Sequence, residues 1–152
     1  MNNKDRLRQL LSEFKQKYPM TIGWRLEKNS RVILDHLHDD EEIVYAFYGQ
    51  KNANPLNILG TCVVAITNER LIIGRDRVVI GYFFDSITPD LFNDLKVKSG
   101  IIWGKIEIDT VKEFVVLSNL DKRSLIEIEK NISEHMNDMK KEFELVSNRK
   151  ML

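Results

Sequence analysis

One cysteine, three prolines and seven glycines serve a chain of 152 residues, and neither sign of charge is in excess. A single thiol excludes an intrachain disulfide framework. Cys62 sits in the apolar run Gly60-Thr-Cys-Val-Val-Ala-Ile-Thr67, where a thiol behaves as a small buried hydrophobe. Lysine plus arginine equal aspartate plus glutamate at 23 each, so no global field draws the molecule to nucleic acid or to an anionic membrane. No apolar run approaches the length of a membrane-spanning helix. The start, Met1-Asn-Asn-Lys-Asp-Arg-Leu-Arg8, places charges where an export signal needs apolar residues, which makes the cytoplasm the expected compartment. Also missing are a glycine-rich phosphate loop, a Gly-x-Ser-x-Gly elbow, a His-Glu-x-x-His helix, internal repeats and low-complexity segments.

What remains is 43% apolar and 30% charged, enough for one soluble globular core. Leu7, Leu10, Leu11, Phe14 and Tyr18 recur at helical spacing and predict an amphipathic helix from Lys4 to Tyr18, ended by Pro19. Ser30 is the expected N-cap of a second, short helix through Leu37. From Glu41 the period changes to that of strands. Segments Glu42–Gly49, the Cys62 run, Arg70–Gly74, Val78–Phe84, the stretch around Leu95 and Val97, Gly104–Asp109 and Glu113–Leu117 predict seven antiparallel strands. Asn68-Glu69 is read as a tight hairpin whose asparagine accepts positive φ, and Ser99-Gly100 as another turn. In Gly104-Lys-Ile-Glu-Ile-Asp109 the charged side chains face one way and Ile106 and Ile108 the other. The helical period returns at Asp121, with a capping box in Ser124-Leu-Ile-Glu127 and apolar residues from Leu125 to Val146.

Strands of this length leave costly open edges unless the sheet rolls up, and an amphipathic helix can plug the open end. The expected fold is therefore α+β, mainly β: a seven-stranded antiparallel barrel capped by the C-terminal helix. Residues 1–38 form a helical extension, 39–136 the barrel with its cap, and 137–152 the helix continuation and tail. Three stretches, Asp39-Asp-Glu-Glu-Ile-Val44, Thr67-Asn-Glu-Arg-Leu-Ile-Ile73 and Ser99-Gly-Ile-Ile-Trp-Gly-Lys-Ile-Glu-Ile108, together with the closing helix, resemble the bacterial pleckstrin-homology-like domains of the YokE type. These are turn and packing motifs, so the resemblance implies a fold and no reaction.

Few residues offer chemistry. His36 and His38, within Asp35-His-Leu-His-Asp-Asp-Glu-Glu42, could ligate a divalent metal, but on a helix they point apart, and the acidic residues read as a solvated helix end. Cys62 lies in a strand where burial raises its pKa, and His135 reads as a packed or surface histidine. No cofactor and no catalytic residue is expected. Eukaryotic pleckstrin-homology domains hold phosphoinositides with basic residues on the first two strands and their loop. Here that region offers only Lys51, so the resemblance carries no lipid site with it.

Two surfaces are candidates for partners. Arg70, Arg75, Arg77, Lys96 and Lys98 form an anion or partner patch if the fold brings them together, the alternative being charged strand ends that discourage edge pairing. Met139, Phe143 and Val146 carry the apolar stripe of the last helix past the point where a barrel needs a cap. Either the Leu7, Leu10, Leu11 and Phe14 face of the first helix covers that excess, or another chain does. Trp24 and Trp103 are expected in the core or on a sheet face. The expected function is a non-enzymatic module engaging a protein partner or assembling with itself. Peripheral association with anionic headgroups is the alternative, and a metal-dependent enzyme at His36 and His38 ranks last.

Overall fold

The computed structural model describes residues 1–51, 60–77 and 80–151. Two helices, α1 (Asn3–Lys17) and α2 (Leu26–Asp35), precede seven strands: β1 (Ile43–Gln50), β2 (Thr61–Thr67), β3 (Leu71–Asp76), β4 (Tyr82–Ile87), β5 (Phe92–Ser99), β6 (Trp103–Thr110) and β7 (Phe114–Asp121). A 3-10 turn (Lys122–Ser124) leads into the 27-residue α3 (Leu125–Met151). Every strand pairing is antiparallel, in the order β4-β3-β2-β1-β7-β6-β5. The sheet curls into a half-barrel, and β4 and β5 remain its two edges.

Among the described residues the ladder between β1 and β7 is one residue pair wide, Gln50 opposite Ser118. There β7 bulges, for Gly104 pairs with Leu120 and Ile106 with Leu117, leaving Ser118 and Asn119 opposite Lys105 alone. Asn119 takes the left-handed conformation (φ 58°) that asparagine tolerates better than most residues. The connector between α1 and α2 completes the seam: Ile22 N–H donates to Asn119 O (3.0 Å) and Asp121 N–H to Thr21 Oγ1 (2.9 Å).

Strand β2 is buried at all seven positions, so both of its faces are covered. One face lines the barrel; α1 and α2 pack on the sheet from outside. Leu7, Leu11 and Phe14 are buried, and the Phe14 ring lies 5.4 Å from that of Tyr48 and 6.0 Å from that of Phe47. Helix α1 starts with Asn3 bound to the entry of β1, its Nδ2 donating to Glu41 O (2.8 Å) and its Oδ1 accepting from Ile43 N–H (3.1 Å). Buried Asn29 does the same for α2: it donates to Thr61 O (3.1 Å) and accepts from Asp76 N–H (2.8 Å). By contrast β6 alternates between buried and half-buried positions, with Ile106 and Ile108 inward as their sequence pattern predicts.

Several local expectations need correction. Helix α2 begins at Leu26, four residues before Ser30, because Arg25 adopts the left-handed conformation (φ 56°) that turns the chain into it, held by an Arg25–Asp76 ion pair of 2.7 Å. It ends at Asp35, two residues before Leu37. Asn68 does not use positive φ; its Oδ1 accepts from Glu42 N–H (2.8 Å), tying the hairpin to β1. Ser124 makes no capping box, since its hydroxyl donates to Asp121 O (2.6 Å) while Glu127 receives Lys17 Nζ (2.8 Å) and the Tyr45 hydroxyl (2.9 Å). Of the expected strand Val78–Phe84, the described part is paired from Tyr82; Val78 and Val79, like most of the loop after Lys51, lie outside the described residues. Trp24 is 52% exposed, not core, its backbone N–H donating to Thr61 Oγ1 (3.2 Å) at the start of β2, whereas Trp103 is half-buried with its indole N–H donating to Met20 O (2.9 Å).

Helix α3 buries Leu125, Ile128, Ile132, Met136 and Met139 against β5 and β6, at steps of three and four residues. Each such side chain contributes about 1.5–3 kcal/mol of transfer free energy.

Close approach of α2 depends on Gly74, where an added Cβ would stand 2.8 Å from Ile33 Cγ1 and 3.3 Å from Asn29 O. Gly74→Val should therefore cost about 1–3 kcal/mol in urea unfolding. Unchanged stability would show that α2 does not seat on β3.

Candidate functional site

The first two stretches that carry the family resemblance meet in one buried junction. Glu41 precedes β1; Thr67 and Arg70 flank the β2–β3 turn. Arg70 grips the carboxylate with both branches, Nε donating to Oε2 and Nη2 to Oε1, each at 2.9 Å. Its remaining donors reach His36 O (2.9 Å) at the end of α2 and Ser86 Oγ (3.0 Å) on β4. Glu41 also accepts from the Thr67 hydroxyl (2.6 Å) and from His38 N–H (3.0 Å). Burial alone would raise the Glu41 pKa, but the hydrogen bonds from Arg70, Thr67 and His38 outweigh it and hold the carboxyl below its ordinary value.

This geometry corrects one candidate. Arg70 is 7% exposed and spends four of its five N–H groups on Glu41, His36 and Ser86, so it cannot serve an anion patch. The other four do not converge with it. Arg75 and Arg77 stand at the end of β3 and beyond, whereas Lys96 and Lys98 lie on β5 at the far edge of the strand order. Lys98 pairs with Glu107 at 3.1 Å and faces Lys105 across the ladder. Lys51, the one cation of the first loop, lies 3.3 Å over the Phe83 ring.

The histidines separate as well. His36 stacks on Phe84 at 4.1 Å between ring centres, while His38 Nδ1 sits 2.7 Å from Glu69 Oε2 and 3.7 Å from Glu41 Oε1. His38, Glu41 and Glu69 bring potential ligand atoms within 4.8 Å of one another. A divalent ion there would have to displace or adjoin the guanidinium already bound to both Glu41 oxygens, so the cluster does not fit a metal. Cys62 is fully buried, and burial pushes its thiol up to about 12, far from a reactive thiolate. His135 is half-buried on α3.

Solvent-facing apolar residues are more informative. Leu7, Leu11 and Phe14 pack against the sheet of their own chain, so of the first helix's proposed face only half-buried Leu10 is less than fully covered. Helix α1 therefore does not cover the far end of α3, contrary to the intrachain alternative. Met139 is buried, but Phe143, Leu145 and Val146 are 49, 59 and 52% exposed. Phe143 and Val146 lie on the stripe that helical periodicity predicts, and Leu145 lies off it. The β5–β6 tip escapes that periodicity as well. There Gly100 N–H bonds Trp103 O (2.9 Å), leaving Ile101 and Ile102 as the two central residues, 94 and 55% exposed. Two β-branched residues where turns favour glycine, asparagine or aspartate were the available signal.

A curled antiparallel seven-stranded sheet plugged by a C-terminal helix, with polar junctions that hold turns, defines a pleckstrin-homology architecture. The chain belongs to the bacterial PH domain family, whose profile matches residues 37–134. Among solved structures, it is similar to a pleckstrin homology domain from Shewanella amazonensis SB2B (18% identity, 74% of this chain and 89% of that one, TM-score 0.48). It is also similar to a DUF1696 family protein with a pleckstrin-homology domain from Shewanella loihica PV-4 (15% identity, 74% and 98%, TM-score 0.47). No curated protein matches.

Removing one member of the buried pair should be expensive. Glu41→Gln strands the Arg70 charge and should cost about 3–5 kcal/mol in urea unfolding, with the double replacement Glu41→Leu, Arg70→Met recovering part of it. A folded pKa below the ordinary 4.5 means that Glu41's contribution is complete above that pH and is lost as pH falls through the lower folded value. Stability measured from pH 7 to pH 2 should accordingly fall less steeply at the acid end in Glu41→Gln than in the parent; identical profiles would contradict the assignment.

Proposed function

We propose that the chain is a non-enzymatic, cytoplasmic binding or scaffold domain that engages a protein partner or assembles with itself through the C-terminal turns of α3. The observation that carries this reading is the continuation of α3 beyond its structural task. Its packing on the half-barrel is complete at Met139, yet Phe143 and Val146 extend the same stripe with about half of their surface in water, beside exposed Leu145. A helix end that presents apolar side chains at a three-residue step offers a ridge for another helix or for a groove. No helix among the described residues is long and apolar enough to cross a membrane.

Multi-angle light scattering on the full chain, with Phe143→Ser/Val146→Ser beside it, tests the reading, and the variant should keep its fold because both residues are exposed. The parent is expected to self-associate with concentration, or to hold a co-purifying protein in stoichiometric amount, and the variant to lose that property. A parent that stays monomeric and partner-free would sink the proposal.

A second reading is favoured by the β5–β6 tip. Ile101 and Ile102 protrude above Trp103, while Lys98 and Lys105 face each other just below them and Lys96 lies further along β5. Apolar tip, aromatic neck and basic collar are the order in which an anionic bilayer surface presents acyl chains, interface and headgroups. On this reading Lys96 and Lys98 belong with Lys105, not with the arginines of β3. Ile101→Ser/Ile102→Ser should reduce binding to vesicles containing phosphatidylserine at least about tenfold, since inserting an isoleucine gains about 1.5–3 kcal/mol. Parent protein that fails to sediment with such vesicles at low ionic strength would remove this reading.

A further inference from the structure

Helices α1 and α2 lie on the same outer face of the sheet, α1 over β1 and α2 over β2 and β3, and between them runs a groove of about 580 Å³. Its α1 wall is a single stripe, Lys4, Leu7, Arg8, Leu11 and Lys15, which at 1.5 Å per residue extends roughly 16 Å, or three helical turns. The α2 wall repeats the pattern with Leu26, Arg31 and Leu34. Leucines from both helices make the floor. Two rows of side chains flanking an apolar valley are what a third helix packs into.

The rim has a sign. Four cations, Lys4, Arg8, Lys15 and Arg31, stand against two carboxylates, Glu27 and Asp35. Arg8 and Glu27 reach across at 3.2 Å, but both side chains are mostly exposed, and such a pair is easily exchanged. Lys4, Lys15 and Arg31 form no ion pair with any described residue. This excess stands out in a chain whose total charge is zero. It also argues against the chain's own spare apolar helix as occupant. Beyond Met139, α3 carries Lys140, Lys141, Arg149 and Lys150 against Glu142 and Glu144, the same sign as the rim.

We infer that the groove between α1 and α2 is a docking site for an acidic amphipathic helix of another protein, its apolar stripe seated on Leu26 and Leu34 and its carboxylates on Lys4, Lys15 and Arg31. Displacement of Glu27 by an incoming carboxylate would free Arg8 as a fourth contact. The site lies apart from the α3 end, and all of its walls belong to residues that precede the matched family segment at 37–134. It specifies a partner class on a different surface from the α3 reading.

The probe is a pair of designed peptides of about five turns, each with leucine at i, i+4, i+7 and i+11, one flanked by glutamate and the other by lysine. Fluorescence anisotropy with the full chain should show the glutamate peptide binding about tenfold more tightly than the lysine peptide, with the preference shrinking as salt rises. Amide shifts should fall on α1 and α2. Lys15→Glu/Arg31→Glu, at two exposed positions, should reverse the preference, and Phe143→Ser/Val146→Ser should leave it unchanged, so that this site and the α3 reading fail separately. An unaltered preference in the charge-reversed variant, shifts confined elsewhere, or no binding of either peptide at low ionic strength would overturn the proposal. So would a dimer that the charge-reversed variant abolishes, which would place a second copy in the groove.

Discussion

Glu41 and Arg70 are withdrawn from water at the corner where α2 ends, β1 begins, the β2–β3 hairpin turns and β4 passes. Desolvating two charges costs several kcal/mol each, and the cost is offset only when geometry is good and every remaining donor finds an acceptor. Here Arg70 spends its donors on Glu41, the His36 carbonyl and Ser86, while Glu41 takes two further hydrogen bonds. A displacement of any one of the four segments would leave a buried charge poorly satisfied. The pair therefore specifies how the helical extension meets the sheet, a role in geometry more than in net stabilisation.

That specification matters because the central strands are covered twice. In a half-barrel with one wet face, β1 to β3 would show polar side chains at alternate positions, as β6 does. They do not: Tyr45-Ala-Phe-Tyr48, Cys62-Val-Val-Ala-Ile66 and Leu71-Ile-Ile73 are apolar almost without interruption. Such a sheet needs a second layer, and α1 and α2 supply it, with Asn3 and Asn29 satisfying backbone groups at its margins. The helical extension is thus continuous with the core: Leu7, Leu11, Phe14 and Ile33 share one cluster with the strand residues.

Much of this was legible in the sequence. Seven strands, the alternating Ile106 and Ile108, the amphipathic first helix and the long last one follow from periodicity, and the bacterial PH relationship from the motifs. The uninterrupted runs also held the signal for a second layer, but uninterrupted apolar strands do not say which segment covers them, and the spare stripe of α3 offered α1 a second place to pack, so both alternatives stayed open. Arg70 looked like a free cation because its partner lies twenty-nine positions away and only the hairpin register brings them together. Local rules failed where tertiary contacts override them. Arg25, not an N-cap serine, starts α2, and Ser124 with Glu127 are drawn off by Asp121, Lys17 and Tyr45.

Outside the buried polar corner and the two-layered sheet, apolar side chains remain in water. Ile101, Ile102, Phe143, Leu145 and Val146 stand on elements whose structural work is finished: a hairpin already closed by its ladder, and a helix already seated by Met139. None of them is buried, so replacing them by polar residues would cost the fold little. The residues of the family motifs behave in the opposite way, since Glu41, Thr67 and Arg70 are consumed by the interior and offer nothing to a ligand. In this chain, then, the residues of the family motifs and the exposed apolar residues are separate sets. The motifs build the platform, and the apolar side chains left in water at the β5–β6 tip and the end of α3 are ones that the platform does not need.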